Sequence, residues 1–181
     1  MPTENNISLL ASLEYIPYID DNGQLPEELL HKIGVYGIFD QDKQLQFIGY
    51  SRDIYLSIKQ HLVRQPKNCY WIKTQIIDRP DRTLLENIKN NWMTENGIIP
   101  VGNAKDLAKW ERPIDVKELM TPAEAEDYNN AAGEELKQSK ILKNVARRVE
   151  AEILTELKNR GLVTDIRFNP KQKENGLLDV K

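Results

Sequence analysis

Two short apolar runs set the pattern of the first half of the chain. Ile33-Gly34-Val35-Tyr36-Gly37-Ile38-Phe39 and Leu45-Gln46-Phe47-Ile48-Gly49-Tyr50 are rich in β-branched and aromatic residues. The polar stretch Asp40-Gln41-Asp42-Lys43-Gln44 between them has hairpin length, so the pair predicts two antiparallel strands. The apolar period then lengthens. Ile54, Ile58 and Leu62 recur every four residues until Gln65-Pro66, which predicts a helix capped by Ser51 and beginning near Arg52. Tyr70 to Asp78 reads as a third strand, with Tyr70, Ile72 and Ile76 on one face and Pro80 as its breaker. Asp81 can cap a second helix whose buried stripe is Leu84, Leu85, Ile88 and Trp92. Gly97 to Asn103 closes the unit, giving the order β-β-α-β-α.

Both flanks differ from this core. Residues 1–30 form an N-terminal arm in which Ile7, Leu9, Leu10, Leu13, Tyr15, Ile16 and Tyr18 supply a short helix and strand covering part of the following domain. A turn at Asp20-Asp21-Asn22-Gly23 and one helical turn opened by Pro26 complete the arm. Residues 106–164 read as a helical extension. Thr121-Pro122-Ala123-Glu124 is a helix start with a capping threonine, and Ile141, Val145, Val149, Ile153 and Leu157 line one face of a long helix between Gln138 and Arg160. Gly161 ends that helix. Its wide stripe, with Trp110, predicts packing onto the preceding domain or onto another chain. Residues 165–181 have little periodicity and read as a loose tail.

Composition narrows the function classes. At 181 residues and 40% hydrophobic, the chain can bury one core and a helical appendage. No apolar run approaches the roughly 20 residues of a membrane span, and the N-terminus lacks the basic start and apolar stretch of a secretory signal, so a cytoplasmic location is expected. The lone Cys69 excludes an internal disulfide, and no Cys/His cluster offers a zinc site. Net charge is −3, from 25 Lys+Arg against 28 Asp+Glu. Any phosphate-binding footprint must therefore be local. Lys137, Lys140, Lys143, Arg147 and Arg148 make one positive stretch, partly balanced by Glu150, Glu152 and Glu156. It reads as a solvated face, a phosphate-tracking surface or a docking helix for a protein partner.

The hairpin carries the one recognisable signature. Gly34-Val35-Tyr36, ten intervening residues and then Phe47-Ile48-Gly49 resembles the motif of GIY-YIG nucleases. The helix-strand-helix succession and the closing Pro100 and Asn103 extend the resemblance over about 75 residues, 31–105. The run through Ser51-Arg52, Ile54 and His61-Leu62 also resembles the N-terminal domain of chloroplast monothiol glutaredoxins, although no Cys-Gly-Phe-Ser occurs here. The fold expected is α+β: a small, largely antiparallel three-stranded sheet flanked by helices, with a helical C-terminal extension.

What the resemblance implies is phosphodiester hydrolysis assisted by one divalent cation, Mg²⁺ or Mn²⁺, which lowers the pKa of water and neutralises phosphoryl oxygens. Tyr36 then stands at the first catalytic tyrosine, His61 at the helical histidine and Glu86 at the metal-holding glutamate, with Glu95 its rival. Asn103 matches the asparagine closing the family core. Two positions depart from the pattern. Phe47 lacks the hydroxyl of the second tyrosine, and Ser57 stands where the family has an arginine. Loss of such a transition-state donor costs on the order of 3 kcal/mol. Arg52 and Arg64 remain, with Asn103, as substrate-binding candidates. Helical geometry puts Arg64 ~10 Å further along the axis than Ser57 and turns Arg52 roughly 140° away. Two functions are compatible with these residues: a metal-dependent endonuclease acting on DNA, or a degenerate domain serving as an interaction or scaffold module.

Overall fold

The computed structural model describes residues 6–181 and divides them into two compact units, one ending at Glu111 and one running from Arg112 to Lys181. In the first unit, β1 (Ile16–Pro17), β2 (Ile33–Phe39), β3 (Leu45–Ser51) and β4 (Trp71–Ile77) form a single antiparallel sheet in the order β1-β4-β2-β3. The expected hairpin pairs as the sequence predicts, Tyr36 opposite Gly49 and Ile38 opposite Phe47. The sheet has four strands where three were expected, because the arm adds β1 to the outer side of β4.

β2 is the central strand, and its residues from Gly34 to Phe39 are all buried. Successive side chains point to opposite faces, so burial on both faces requires a layer on each side. Val35, Phe39 and Ile48 join Leu85, Ile88 and Trp92 of helix α2 (Arg82–Asn96) and Leu10 of the arm in one core. Tyr36, Ile38 and Phe47 face the other way, toward helix α1 (Ile54–Arg64), where Ile54, Ile58 and Leu62 are fully buried. Gly34 lets β2 and β4 approach; a Cβ there would fall 2.2 Å from the Gln75 carbonyl oxygen.

The helix starts follow local chemistry. Asp53, not Ser51, caps α1: its carboxylate accepts from the Leu56 amide at 3.3 Å, and the helix begins at Ile54. Ser51 acts one step earlier, its hydroxyl accepting from the Asp53 amide at 3.0 Å. Asp81 caps α2 as expected, through the Leu84 amide at 3.0 Å, and Gly97 ends it at φ +79. The short helix α3 (Leu107–Glu111) belongs to the first unit, so the boundary falls later than residue 105.

In the second unit, Thr121 and Glu124 form the expected capping box at the start of α4 (Pro122–Asn130), and α5 spans Glu135–Asn159. Residues 165–181 are not loose. Ile114 of β5 (Ile114–Asp115) pairs with Leu178 of β6 (Leu177–Leu178), Phe168 bridges Val180, and α6 (Pro170–Lys173) lies between. Ile166, Phe168 and Leu178 are buried. Among the described residues no helix is long and apolar enough to cross a membrane.

Gly34→Ala should lower the unfolding free energy by about 2–3 kcal/mol, since backbone stands where the new methyl would go. A urea titration against wild type checks this; an unchanged midpoint would mean that β2 and β4 can separate freely at this point.

Candidate functional site

Tyr36 and His61 meet, as the family resemblance implied. β2 aims Tyr36 at α1, and its hydroxyl lies 2.9 Å from His61 Nε2. Both side chains are buried. Burial raises the Tyr36 pKa, so the phenol stays protonated; the Ser57 hydroxyl also hydrogen-bonds it. Burial, then the Arg64 guanidinium, push the His61 pKa down to about 3, against a small opposite pull from the Trp110 main chain. The imidazole is therefore neutral and is not the cation favouring a helix C-terminus that exposed placement would give. Which of the Tyr36 hydroxyl and His61 Nε2 donates is set by the imidazole tautomer. His61 Nδ1 is buried, and the hydrogen bond between the imidazole and the Trp110 main chain is off ideal geometry.

An aromatic layer covers this pair. Phe47 lies 4.7 Å from the His61 ring, and Trp110 of α3 stacks on Phe47 at 5.1 Å with planes 2° apart. Gly102 leaves room for the indole, because a Cβ there would sit 2.7 Å from Trp110 Nε1. Gly49 does the same for Tyr36, whose hydroxyl would lie 2.7 Å from an added Cβ. Sequence reasoning assigned Trp110 to the packing of the extension; its place against Phe47 is set by the turn at Val101–Asn103, which no hydrophobic period reveals.

Glu86 does not join Tyr36 and His61. It sits on α2, across the sheet, where the Tyr50 hydroxyl donates to its Oε1 at 2.6 Å. Tyr50 pairs with Val35, and Val35 and Tyr36 are successive residues of one strand, so their side chains face opposite layers. Hydrogen bonding to Glu86, above all, raises the Tyr50 pKa, while Arg82 pulls the other way. Lys89 lies 5.8 Å from the Tyr50 ring centroid. Glu86 thus has a phenol and cationic neighbours. Among the described residues no three His, Cys, Asp or Glu side chains gather as a metal cluster. A lone carboxylate can bind Mg²⁺ when substrate phosphates complete its shell, but this one cannot present the ion to Tyr36 and His61. The residues do not fit the implied cation.

The remaining candidates have structural employment. Glu95 accepts from the Leu10 amide at 2.7 Å and the Ala11 amide at 2.8 Å, fixing the arm and removing it as a rival metal ligand. Asn103 grips Ile48 on the outer strand β3, Oδ1 accepting from the amide and Nδ2 donating to the carbonyl, both at 2.7 Å. As a substrate-binding residue Asn103 is corrected to a strand clamp. Arg64 donates through one terminal nitrogen to the Trp110 carbonyl at 2.9 Å, which ties α1 to α3. Arg52 is exposed, ahead of the capping Asp53. Ser57, half-buried at the arginine position, donates to Ser51 Oγ at 2.7 Å. A surface cavity of about 550 Å³ beside Gln75, Asp78, Arg79 and Leu84 includes none of these groups.

No protein-family model matches the chain. The chain is 36% identical over 74 residues to a protein of Arabidopsis thaliana described as bifunctional monothiol glutaredoxin-S16, chloroplastic. The match lies in the N-terminal part of that protein and covers 39% of this chain and 25% of the relative. This chain therefore spans about a quarter of the length of that relative, and the chloroplast in its printed description belongs to the relative.

The depressed His61 pKa makes stability depend on pH. In the unfolded chain the imidazole returns toward 6.5, so below that pH the unfolded state binds a proton that the folded state refuses. Stability is complete above about pH 6.5 and falls on acidification toward the folded value of about 3, by roughly 1 kcal/mol per pH unit. Urea midpoints between pH 7 and pH 4 should drop steeply for wild type and less for His61→Gln. Equal slopes for the two proteins would contradict a buried neutral imidazole.

Proposed function

We propose that residues 31–105 form a GIY-YIG-like domain that has left hydrolysis and works as a binding or scaffold module. The observation that supports this most is the division of the candidate residues by the sheet: Tyr36 and His61 on the α1 side, Glu86 on the α2 side. A hydrolytic centre needs its acid–base groups and its metal-bound water within about 3 Å of one reacting atom. Phe47 and Ser57 point the same way. The phenyl ring offers no hydroxyl, and the serine is tied into Ser51 and Tyr36 rather than turned toward a phosphate. On this reading the first unit supplies a rigid body, and a protein partner is met through the exposed cationic side of α5, where Lys137, Lys140 and Arg147 are exposed.

The second reading is a divalent-metal-dependent endonuclease on DNA. It is favoured by the intact Tyr36–His61 contact. A glutaredoxin activity needs a reactive thiol, and Cys69 is fully buried.

Supercoiled plasmid incubated with the purified protein in Mg²⁺, in Mn²⁺ and in chelator separates the two. The module reading expects nicking at background in all three. Metal-dependent nicking that is lost in both Tyr36→Phe and Glu86→Ala would replace it with the nuclease reading.

A further inference from the structure

Helix α5 sorts its charges by face. At about 100° per residue, Lys137, Lys140, Lys143, Arg147, Arg148 and Lys158 all fall within roughly 140° of its circumference. Glu135, Glu150, Glu152 and Glu156 all fall outside that arc. The buried residues Leu142, Val145, Val149, Ile153 and Leu157 lie opposite it, so the arc faces away from the core of the second unit. Along its crest Lys140, Arg147 and Lys158 are exposed, with Asn144, Ala151 and Thr155 exposed between them. A chain whose net charge is only −3 thus carries one ridge of a single, positive sign.

That ridge works against the helix that bears it. Ion pairs support a helix when opposite charges stand three or four residues apart. Around Lys140 those positions hold Leu136, Lys137, Lys143 and Asn144. Lys143 is in turn four residues from Arg147, a like-charge spacing that destabilises a helix. Lys137 is bridged to Glu134, and Arg148 is committed to Glu124, Glu152 and the Leu119 carbonyl. Glu150, three residues from Arg147, pairs with Lys173 instead. Lys140, Arg147 and Lys158 have no ion-pair partner among the described residues. An anion supplied from outside would relieve this repulsion.

We infer that the exposed face of α5 docks the acidic face of a single helix in a partner protein. This names the chemistry of the partner in the module reading proposed above and rests on that reading. The ridge is straight and runs about 27 Å from Lys140 to Lys158. A partner helix rises by the same increment per residue, so carboxylates spaced seven and eleven residues apart meet Lys140, Arg147 and Lys158 together. The ridge is also narrow, bordered by Glu150 on one side and by Glu152 and Glu156 on the other. One helix, about 10 Å across, fits between these borders, and its own flanking cations can pair with them. A nucleic-acid duplex fits less well. Laid in a major groove about 12 Å wide, α5 would press both carboxylate borders toward the phosphate walls. With no exposed aromatic or large aliphatic side chain between the three cations, the contact is electrostatic and sensitive to salt.

Fluorescence anisotropy of a labelled helical peptide, with glutamates along one face and no aromatic residue, tests this on the full chain. Wild type should bind the peptide at low ionic strength and release it as added salt screens the exposed charges. Lys140→Gln, Arg147→Gln and Lys158→Gln together should weaken binding about tenfold, the sum expected of three exposed charge pairs. Glutamine is as good a helix former as lysine, and circular dichroism checks that helix content is kept. If the triple variant loses helix, Arg147→Gln alone carries the comparison, with about a twofold loss. A control with the same charge change in the first unit, Lys32→Gln, Lys67→Gln and Lys105→Gln, all exposed positions, should bind as wild type does. Absence of saturable binding by wild type overturns the inference. So does an equal loss in both triple variants, which would mean attraction by net charge alone. Tighter binding of a duplex oligonucleotide than of the peptide, lost in the α5 variant, overturns it in favour of a polynucleotide surface. Plasmid nicking would remove the module reading without altering any of these outcomes.

Discussion

Because side chains alternate along β2, Val35 and Tyr36 cannot serve the same layer, and the strand is buried on both faces. Everything chemically suggestive in the first unit is sorted by that constraint. Tyr36, Phe47 and Gly49 go to the α1 side with His61; Val35, Ile48 and Tyr50 go to the α2 side with Glu86. Slipping β3 by one residue would move Tyr50 toward His61, but it would also carry Ile48 out of the core that Leu85, Ile88 and Trp92 fill. Registers with one buried set are strongly specified for this reason. The Asn103 clamp on the Ile48 amide and carbonyl adds a second lock on the outer strand.

The two layers differ in how their charges are arranged. On the α1 side a protonated phenol, an uncharged imidazole and the Ser51 and Ser57 hydroxyls share the layer with one guanidinium, Arg64, whose charge reaches both Tyr36 and His61. A guanidinium at the Ser57 position would place a second cation near an imidazole that burial, and then Arg64, already hold neutral. The serine instead gives Tyr36 a hydrogen-bond partner of no net charge, which suits a closed environment where an unpaired charge is costly. On the α2 side the groups are charged and reach solvent, so Glu86, Arg82 and Lys89 can neutralise one another around Tyr50. A phosphodiesterase needs concentrated charge where its tyrosine stands. This fold puts the Glu86 carboxylate on the other side of the sheet from Tyr36.

How much of this was legible in the sequence depends on the distance over which each feature is decided. The hairpin, α1 and α2 follow from local period and were readable, whereas the Tyr36–His61 pairing was implied by the family resemblance and the cap of α1 moved from Ser51 to Asp53. The capping box at Thr121 was readable too, because its two partners are three residues apart. Features that need a remote partner were not. β1 is two residues long and exists only because β4 offers it an edge; the segment from 165 onward is ordered by pairing with Ile114 and Asp115. The use of Glu95 was hidden for the same reason, since its acceptors' partners, the Leu10 and Ala11 amides, lie more than eighty residues away in the chain. The side of the sheet taken by Glu86 is a subtler case. The strand alternation was visible, but which face α2 would cover depends on the connection after β4, and no residue spacing encodes that.

A motif therefore survives here in two senses that separate under inspection. As a folding instruction it is intact: Gly34 permits the approach of β4, Gly49 makes room for Tyr36, and Asn103 closes the strand. As a chemical instruction it is divided, because glycine, tyrosine and asparagine keep their places through packing whether or not a cation is ever bound. Residues with a structural use are accounted for by that use, so their presence says little about activity. The informative positions are those with no packing role to protect them. Ser57 is one, where a charge would be costly inside the closed layer. Glu86 is the other, where the carboxylate is retained but faces the wrong way.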